Sequence, residues 1–206
     1  LYSETIKTYD AQVTVSENNW FTSLTYFSSK TDTPIIRKSE GSSVAFANGD
    51  EQITYTGFEL EGAVHFSSSW EIKGSLINQS SDSNHAHKEA SYGANLMLKL
   101  GLAHQTANGH EMGIWYNLND DFNKVEEIND EVNIVNKPLS SFALLSANVK
   151  IDLSKMNILS KKYEPNLSIY ANNILNEDVY YPELSRKQVN SMQLPHSRGI
   201  HLKFSL

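Results

Sequence analysis

Asn166-Leu-Ser-Ile-Tyr-Ala-Asn-Asn-Ile-Leu-Asn-Glu-Asp-Val-Tyr-Tyr-Pro-Glu183 and, after a polar interval, Pro195-His-Ser-Arg-Gly-Ile-His-Leu-Lys-Phe-Ser-Leu206 are the two stretches that decide the fold. In the first, Leu167, Ile169 and Ala171 alternate with polar residues. In the second, Ile200, Leu202, Phe204 and Leu206 share one face, and His201, Lys203 and Ser205 take the other. A period of two is the signature of a β-strand. One wholly apolar face opposite a charged one suits a wall with lipid on one side and water on the other. Such a wall must close on itself, because lipid offers no partner to an open backbone edge.

The same period continues through the rest of the chain. Tyr9, Ala11, Val13 and Val15 alternate with Asp10, Gln12 and Thr14, then Glu17-Asn-Asn19 turns the chain into Trp20–Ser29, with Leu24 and Tyr26 outward. Phe58, Leu60, Gly62, Val64 and Phe66 oppose Glu59, Glu61, Ala63 and His65. Ile53 and Tyr55 fall on the wrong parity for that strand, which predicts a β-bulge near Gly57. Ser67-Ser-Ser69 turns into Trp70, Ile72, Gly74 and Leu76. Ala94, Leu96, Leu98, Leu100 and Leu102 alternate most cleanly of all, and Asn108-Gly109 then signals a hairpin. Met112, Ile114, Tyr116 and Leu118 follow, and later Leu145, Ala147, Val149, Ile151 and Leu153. The pattern predicts about nine strands.

Connection lengths add a second signal. Short turns at 17–19, 67–69 and 107–109 alternate with long polar stretches at 30–52, 78–91, 119–137 and 176–197. Only 154–165, due to be short, is longer than the rule expects. Transmembrane barrels sort their connections in this way, with short turns on the periplasmic side and long loops outside. The sorting places the C-terminus on the short-turn side and Leu1 on the outer side. An odd number of strands cannot close a bacterial barrel, so wall is expected to be missing on the N-terminal side. The opening Leu1-Tyr-Ser-Glu-Thr already reads as strand and carries no signal peptide, and the chain is expected to be a fragment or processed piece.

Composition sets the outer limits. The 206 residues are 39% hydrophobic and contain no apolar run long enough for a membrane helix. Ten Tyr, eight Phe and three Trp would serve aromatic girdles, though they also suit a soluble β-sandwich. A net charge of −7 argues against a nucleic-acid partner, and with no cysteine there is no disulfide framework or thiolate metal site. Alternation alone does not say which face meets water. A soluble barrel has the same period with the faces exchanged, which leaves a soluble all-β glycan-binding module as the second reading.

Several motifs, in order, resemble the C-terminal part of the barrel in TonB-dependent outer-membrane receptors. Glu4-Thr-Ile-Lys-Thr-Tyr-Asp-Ala11 is similar to a recurrent Glu-Thr…Tyr strand opening of that family. Trp20-Phe-Thr-Ser-Leu-Thr-Tyr-Phe-Ser-Ser-Lys-Thr-Asp-Thr-Pro-Ile35 and Thr56-Gly-Phe-Glu-Leu-Glu61 resemble its following strands. Tyr170-Ala-Asn-Asn-Ile-Leu-Asn-Glu-Asp-Val-Tyr-Tyr-Pro182 resembles its Asn-Leu-Phe-Asp…Tyr segment, with Ile174-Leu175 where Leu-Phe is usual. Pro195-His-Ser-Arg198 stands where Pro-Gly-Arg opens the family's last strand, and the chain ends on Leu206 instead of a terminal Phe.

The resemblance implies an antiparallel transmembrane β-barrel in which residues 1–206 are about nine C-terminal strands of a ~22-stranded wall. It implies a bacterial outer-membrane location, with lipid as one partner and TonB, reached through a plug domain outside this chain, as another. The activity implied is energy-coupled uptake of a small extracellular ligand such as a ferric siderophore, haem, cobalamin or glycan. Ligand contacts would then fall on Trp115, Tyr180, Tyr181 and Arg186, with residues near 30–52.

Other constellations carry less. His85-Ala-His87 has the alternate spacing of a metal pair but no third ligand nearby, and a solvated loop is expected there. Asp120, Asp121, Glu126, Glu127 and Asp130 lack the spacing and turn glycine of a calcium loop. Glu59, Glu61 and His65 could form an acid–base set, but charges facing a hydrated lumen give the same pattern. Arg198 is expected to anchor the last strand. No Gly-x-Ser-x-Gly, phosphate loop or His-Glu-x-x-His occurs. Neither a resident cofactor nor an enzymatic activity is expected.

Overall fold

The structure, a computed structural model, describes residues 1–40, 43–83, 94–121, 140–156, 165–184, 189–193 and 199–205, with the backbone alone at 36–40, 43–44, 83, 181–184 and 189–193. Among the described residues thirteen strands run in chain order: β1 (Thr5–Glu17), β2 (Trp20–Asp32), β3 (Ile35–Glu40), β4 (Ser43–Asn48), β5 (Gln52–His65), β6 (Trp70–Ser83), β7 (Leu96–Gln105), β8 (Glu111–Asn119), β9 (Phe142–Asp152), β10 (Asn166–Asn172), β11 (Tyr180–Leu184), β12 (Val189–Gln193) and β13 (Gly199–Ser205). Nine of them make one antiparallel sheet in the order β1-β2-β5-β6-β7-β8-β9-β10-β13. These are the nine strands expected from period and turns. The long connections at 30–52 and 176–197, read as loops from sequence, each contain a hairpin, β3–β4 and β11–β12.

Strict neighbour-to-neighbour pairing throws the connections to alternate ends. Glu17 pairs with Trp20 across the two asparagines, and Phe66–Ser69 and Thr106–His110 close the next two turns at the same end. Gly109 takes φ 80°, which a side chain would oppose, and its N–H donates to the Thr106 carbonyl at 2.9 Å. The connections carrying β3–β4 and β11–β12, and those after β6 and β8, all leave from the other end, called the outer end below.

No bulge exists at Gly57. The register of β5 with β2 runs unbroken from Trp20↔Val64 to Asp32↔Gln52, and with β6 from His65↔Glu71 to Ile53↔Ser83. Ile53 and Tyr55 therefore keep their parity and stand on the polar face with Glu59 and Glu61. The apparent slip is a change in which residues that face uses near its outer end.

Burial tells the two faces apart. On the polar face small residues are enclosed: Ser23 is 2% exposed, and Ala63, Ser81, Ser168, Gly101 and Gly113 are buried. On the other face large apolar side chains stand open, from Val13 at 68% through Leu24, Leu60, Val64, Ile72, Leu100 and Ile114 to Leu202 at 70%. Side chains crowd where a sheet is concave, so the polar face lines the inside of the curl and the apolar face its outside. Registered rows make the outer belt continuous: Val13, Leu24, Leu60, Leu76, Leu98 and Leu118 pair in sequence across six strands. On the convex side of β5 to β9 no described residue is Lys or Arg. Among the described residues the buried hydrophobics are only Ala63, Ala94, Phe142 and Val179, so the sheet has no interior core of its own.

Candidate functional site

The concave face holds two organised regions. The lower one is built around Trp115, which β8 presents inward opposite Gly101 of β7 and Ser146 of β9. Its indole lies flat on the sheet, since a Cβ on Gly101 would stand 2.2 Å from the ring carbon Cζ3. Gly113 leaves the same clearance on the other side, with the indole nitrogen 2.9 Å from where its Cβ would be. The indole N–H donates to Asn148 Oδ1 at 3.0 Å, and Lys73 Nζ lies 5.1 Å from the ring centroid. Lys73 also donates to Glu71 Oε2 at 3.2 Å, and Glu71 Oε1 lies 3.5 Å from His65 Nε2. Lys150 and Glu111 pair separately at 3.2 Å. These ions answer one another along the wall, and Trp115 is held between Gly101 on one side and Lys73 over its ring.

The upper region gathers where β10 ends. Asn173 is 3% exposed and takes φ 47°, and Asn176 takes φ 58°. Asparagine tolerates this left-handed backbone better than most residues. The Asn173 amide donates to the Glu177 carbonyl at 2.8 Å, and its Oδ1 accepts the Glu177 N–H at 2.9 Å. The Ile174 N–H donates to the Leu145 carbonyl at 2.8 Å, which ties this knot to β9. The chain then drops Val179, 3% exposed, onto Phe142 and Leu144 of the concave face. Tyr180 follows at the root of β11, paired with Gln193.

The sequence-derived ligand residues are therefore not assembled at one level. Trp115 stands in the row of Ser146, whereas Tyr180 follows a residue packed on Phe142, which pairs with Asn119 nearer the outer end. The backbone of Tyr181 pairs with Met192 in the β11–β12 hairpin, its side chain lying outside the described residues, as does Arg186. His85, His87, Glu126, Glu127, Asp130 and Arg198 also fall outside them. Asp121 accepts the Ser141 N–H at 2.6 Å and so closes the base of the acidic connection. Among the described residues no three His, Cys, Asp or Glu side chains come together as a metal site. An open groove of about 390 Å³ at the outer ends of β10 and β13 is lined by Ala171, Asn172, Ile174, Gly199 and Ile200, and carries no charge.

Sequence reasoning missed one set of inward residues. Phe27, Ile53, Tyr55, Ile77, Met97, Phe142 and Leu144 all lie on the outer part of the concave face, with Ile77, Met97 and Phe142 in the register row of Glu59, Leu144 in that of Glu61, and the other three above them. The Phe27 ring covers Gly57, whose Cβ would be 2.6 Å from Cζ. The only trace of this patch in the sequence was the parity of Ile53 and Tyr55.

No protein-family model matches the chain, and no curated protein matches it by sequence. Its architecture does match solved structures. The copper transporter OprC superposes with a TM-score of 0.69 at 15% identity, over 86% of this chain and 26% of that one. The FrpB iron transporter from Neisseria meningitidis gives 0.66 at 14% identity, over 92% and 30%. FpvA of P. aeruginosa, solved with iron and heterologous pyoverdines, gives 0.68 at 12% identity, over 97% and 26%. The chain thus spans between about a quarter and a third of the structures it resembles, and it has the fold of part of their walls.

Proposed function

We propose that this chain is an arc of the wall of a bacterial outer-membrane importer, the C-terminal part of a barrel of ~22 strands, that takes up a scarce ligand with energy delivered through TonB. The observation that carries the reading is the reversal of faces. Exposed Val13, Leu24, Leu60, Ile114 and Leu202 line the convex side, while Ser23 and Ser168 are buried on the concave side. A soluble glycan-binding module would enclose its apolar face, so the second sequence reading has no support from burial. The sheet is also left open at β1 and β13, as an arc of a larger wall would be.

The neighbours, a copper transporter, an iron transporter and a receptor solved with an iron-loaded pyoverdine, support one ligand class. We assign this importer a metal ion or its organic chelate. Tyr180, with Tyr181 and Arg186, would meet it first, and Trp115 would line its later path. The wall supplies a hydrated, ion-paired surface, and TonB would act through a plug domain carried elsewhere in the protein.

The test is an immunoblot of isolated outer membranes, heated and unheated, with antibody against 119–137. A heat-shifted band several times larger than 23.2 kDa, joined by TonB-dependent uptake of ferric chelate in cells, is the expected result. A soluble band without heat shift would overturn the membrane reading. Uptake unchanged on loss of TonB would overturn the coupling.

A further inference from the structure

At the short-turn end, the convex face carries a group of side chains unlike the aliphatic belt above it. Phe66 is 54% exposed and stacks on Trp70 with ring centroids 6.1 Å apart and an interplanar angle of 22°. Trp70 in turn packs on His104, paired opposite it on β7, at 4.2 Å. His104 Nδ1 lies 3.0 Å from the Ser69 carbonyl oxygen. A carbonyl oxygen only accepts, so Nδ1 carries the proton, and in the uncharged ring Nε2 is left with a lone pair. The turn beside it holds Ser67 and Ser69, whose hydroxyl oxygens are 3.4 Å apart.

We propose that this group is a lipid-headgroup site, and that its occupant is an ethanolamine phosphodiester of the leaflet at the short-turn end. The inference rests on the membrane reading above and goes beyond it by naming the headgroup. Continuity with the apolar belt puts the site at the boundary where acyl chains give way to headgroups, the level at which aromatic rings collect. The chemistry then selects among headgroups. A primary ammonium has N–H bonds to give, and it meets the lone pair of His104 Nε2 at the end of the Phe66–Trp70–His104 stack. Of the two serine hydroxyls one donates to the other, and the remaining O–H donates to the phosphate two carbons away. A trimethylammonium group has no N–H to give. A purely anionic headgroup finds no Lys or Arg on the convex side of β5 to β9 among the described residues. Lys73, the nearest cation in the network, points to the concave face with Trp115.

The experiment measures quenching of Trp70 by brominated lipid. The protein, purified as it occurs in its membrane, is placed in bilayers of unbrominated phosphatidylcholine. Brominated phosphatidylethanolamine, phosphatidylglycerol or phosphatidylcholine is then added at equal mole fraction. The signal of Trp70 is the difference between the protein and its Trp70→Phe variant, which removes the contribution of every other tryptophan. The expected result is occupancy beside Trp70 about threefold higher for the ethanolamine lipid, as one net hydrogen bond gives. His104→Phe keeps the ring stack and should abolish that preference, with the heat-shifted band retained. Equal quenching by all three lipids, enrichment of the glycerol lipid instead, or a preference that survives His104→Phe would each overturn the proposal. Absence of quenching by any brominated lipid would instead overturn the membrane reading on which it rests.

Discussion

Trp115 lies on Gly101 as a plate lies on a table: the ring carbons Cζ3 and Cε3 would stand 2.2 and 2.4 Å from a Cβ at that glycine. The pairing Gly101↔Trp115 makes this contact a property of register, since a slip of one residue would set the indole against a leucine on the lipid side. The indole is therefore first a part of the wall.

Gly101→Ala should force the ring out of its seat and break both the Asn148 hydrogen bond and the Lys73 contact. A loss of about 1–3 kcal/mol is expected, measured by urea unfolding from vesicles. In a Trp115→Ala background the same substitution should cost almost nothing, and that coupling separates lost seating from a general dislike of side chains on β7.

The two faces should respond oppositely to charge. Leu60→Arg, in the apolar belt, should cost about 2–4 kcal/mol, and Glu59→Gln next to it on the concave side less than about 0.5 kcal/mol. Equal costs in a vesicle-folding titration would contradict the assignment of faces.

Asn173→Ala removes both hydrogen bonds to Glu177 and leaves a β-carbon in a left-handed backbone. The knot should weaken by about 2 kcal/mol. Protease added to intact cells should then cut within 173–197 while the heat-shifted band of the wall persists. Asn173→Gly keeps the backbone freedom but not the bonds, and should fall between the two.

The Glu111–Lys150 pair is half exposed, and its removal as Glu111→Gln with Lys150→Met should change stability by less than about 1 kcal/mol. The same unfolding assay checks it. A larger effect would mean that the lower wall depends on its ion pairs more than on the seating of Trp115.

The wall itself was legible because lipid-facing and lumen-facing residues must alternate, and Ala94 to Leu102 do so without a break. Nothing in that alternation says which face is wet, and burial on the curled sheet supplied the answer. Ile53 and Tyr55 misled because an apolar residue facing inward looks like a change of parity, when the constant pairing with Thr31 and Ser29 leaves no room for one. The β3–β4 and β11–β12 hairpins were hidden for a different reason: their strands stand beyond the belt, where neither face needs to be apolar. Apart from Gly113, the seat of Trp115 depends on Gly101, Asn148 and Lys73, fourteen and more positions away, so it could be seen only once the register was known. The left-handed backbone at Asn173 and Asn176 was not read from the sequence, where the segment stood out only for its likeness to a family motif.

The order of the sheet carries a rule of parity. Every neighbouring pair from β1 to β13 is antiparallel, so the first and ninth strands of the sheet point the same way, from the outer end toward the short turns. Two copies of this arc set edge to edge would meet in parallel at both seams, against the pattern of every other pair. An odd number of further strands restores the alternation. Self-association would complete the cylinder only with two parallel seams in an otherwise antiparallel wall, whereas an odd set of further strands closes it with one ladder type throughout.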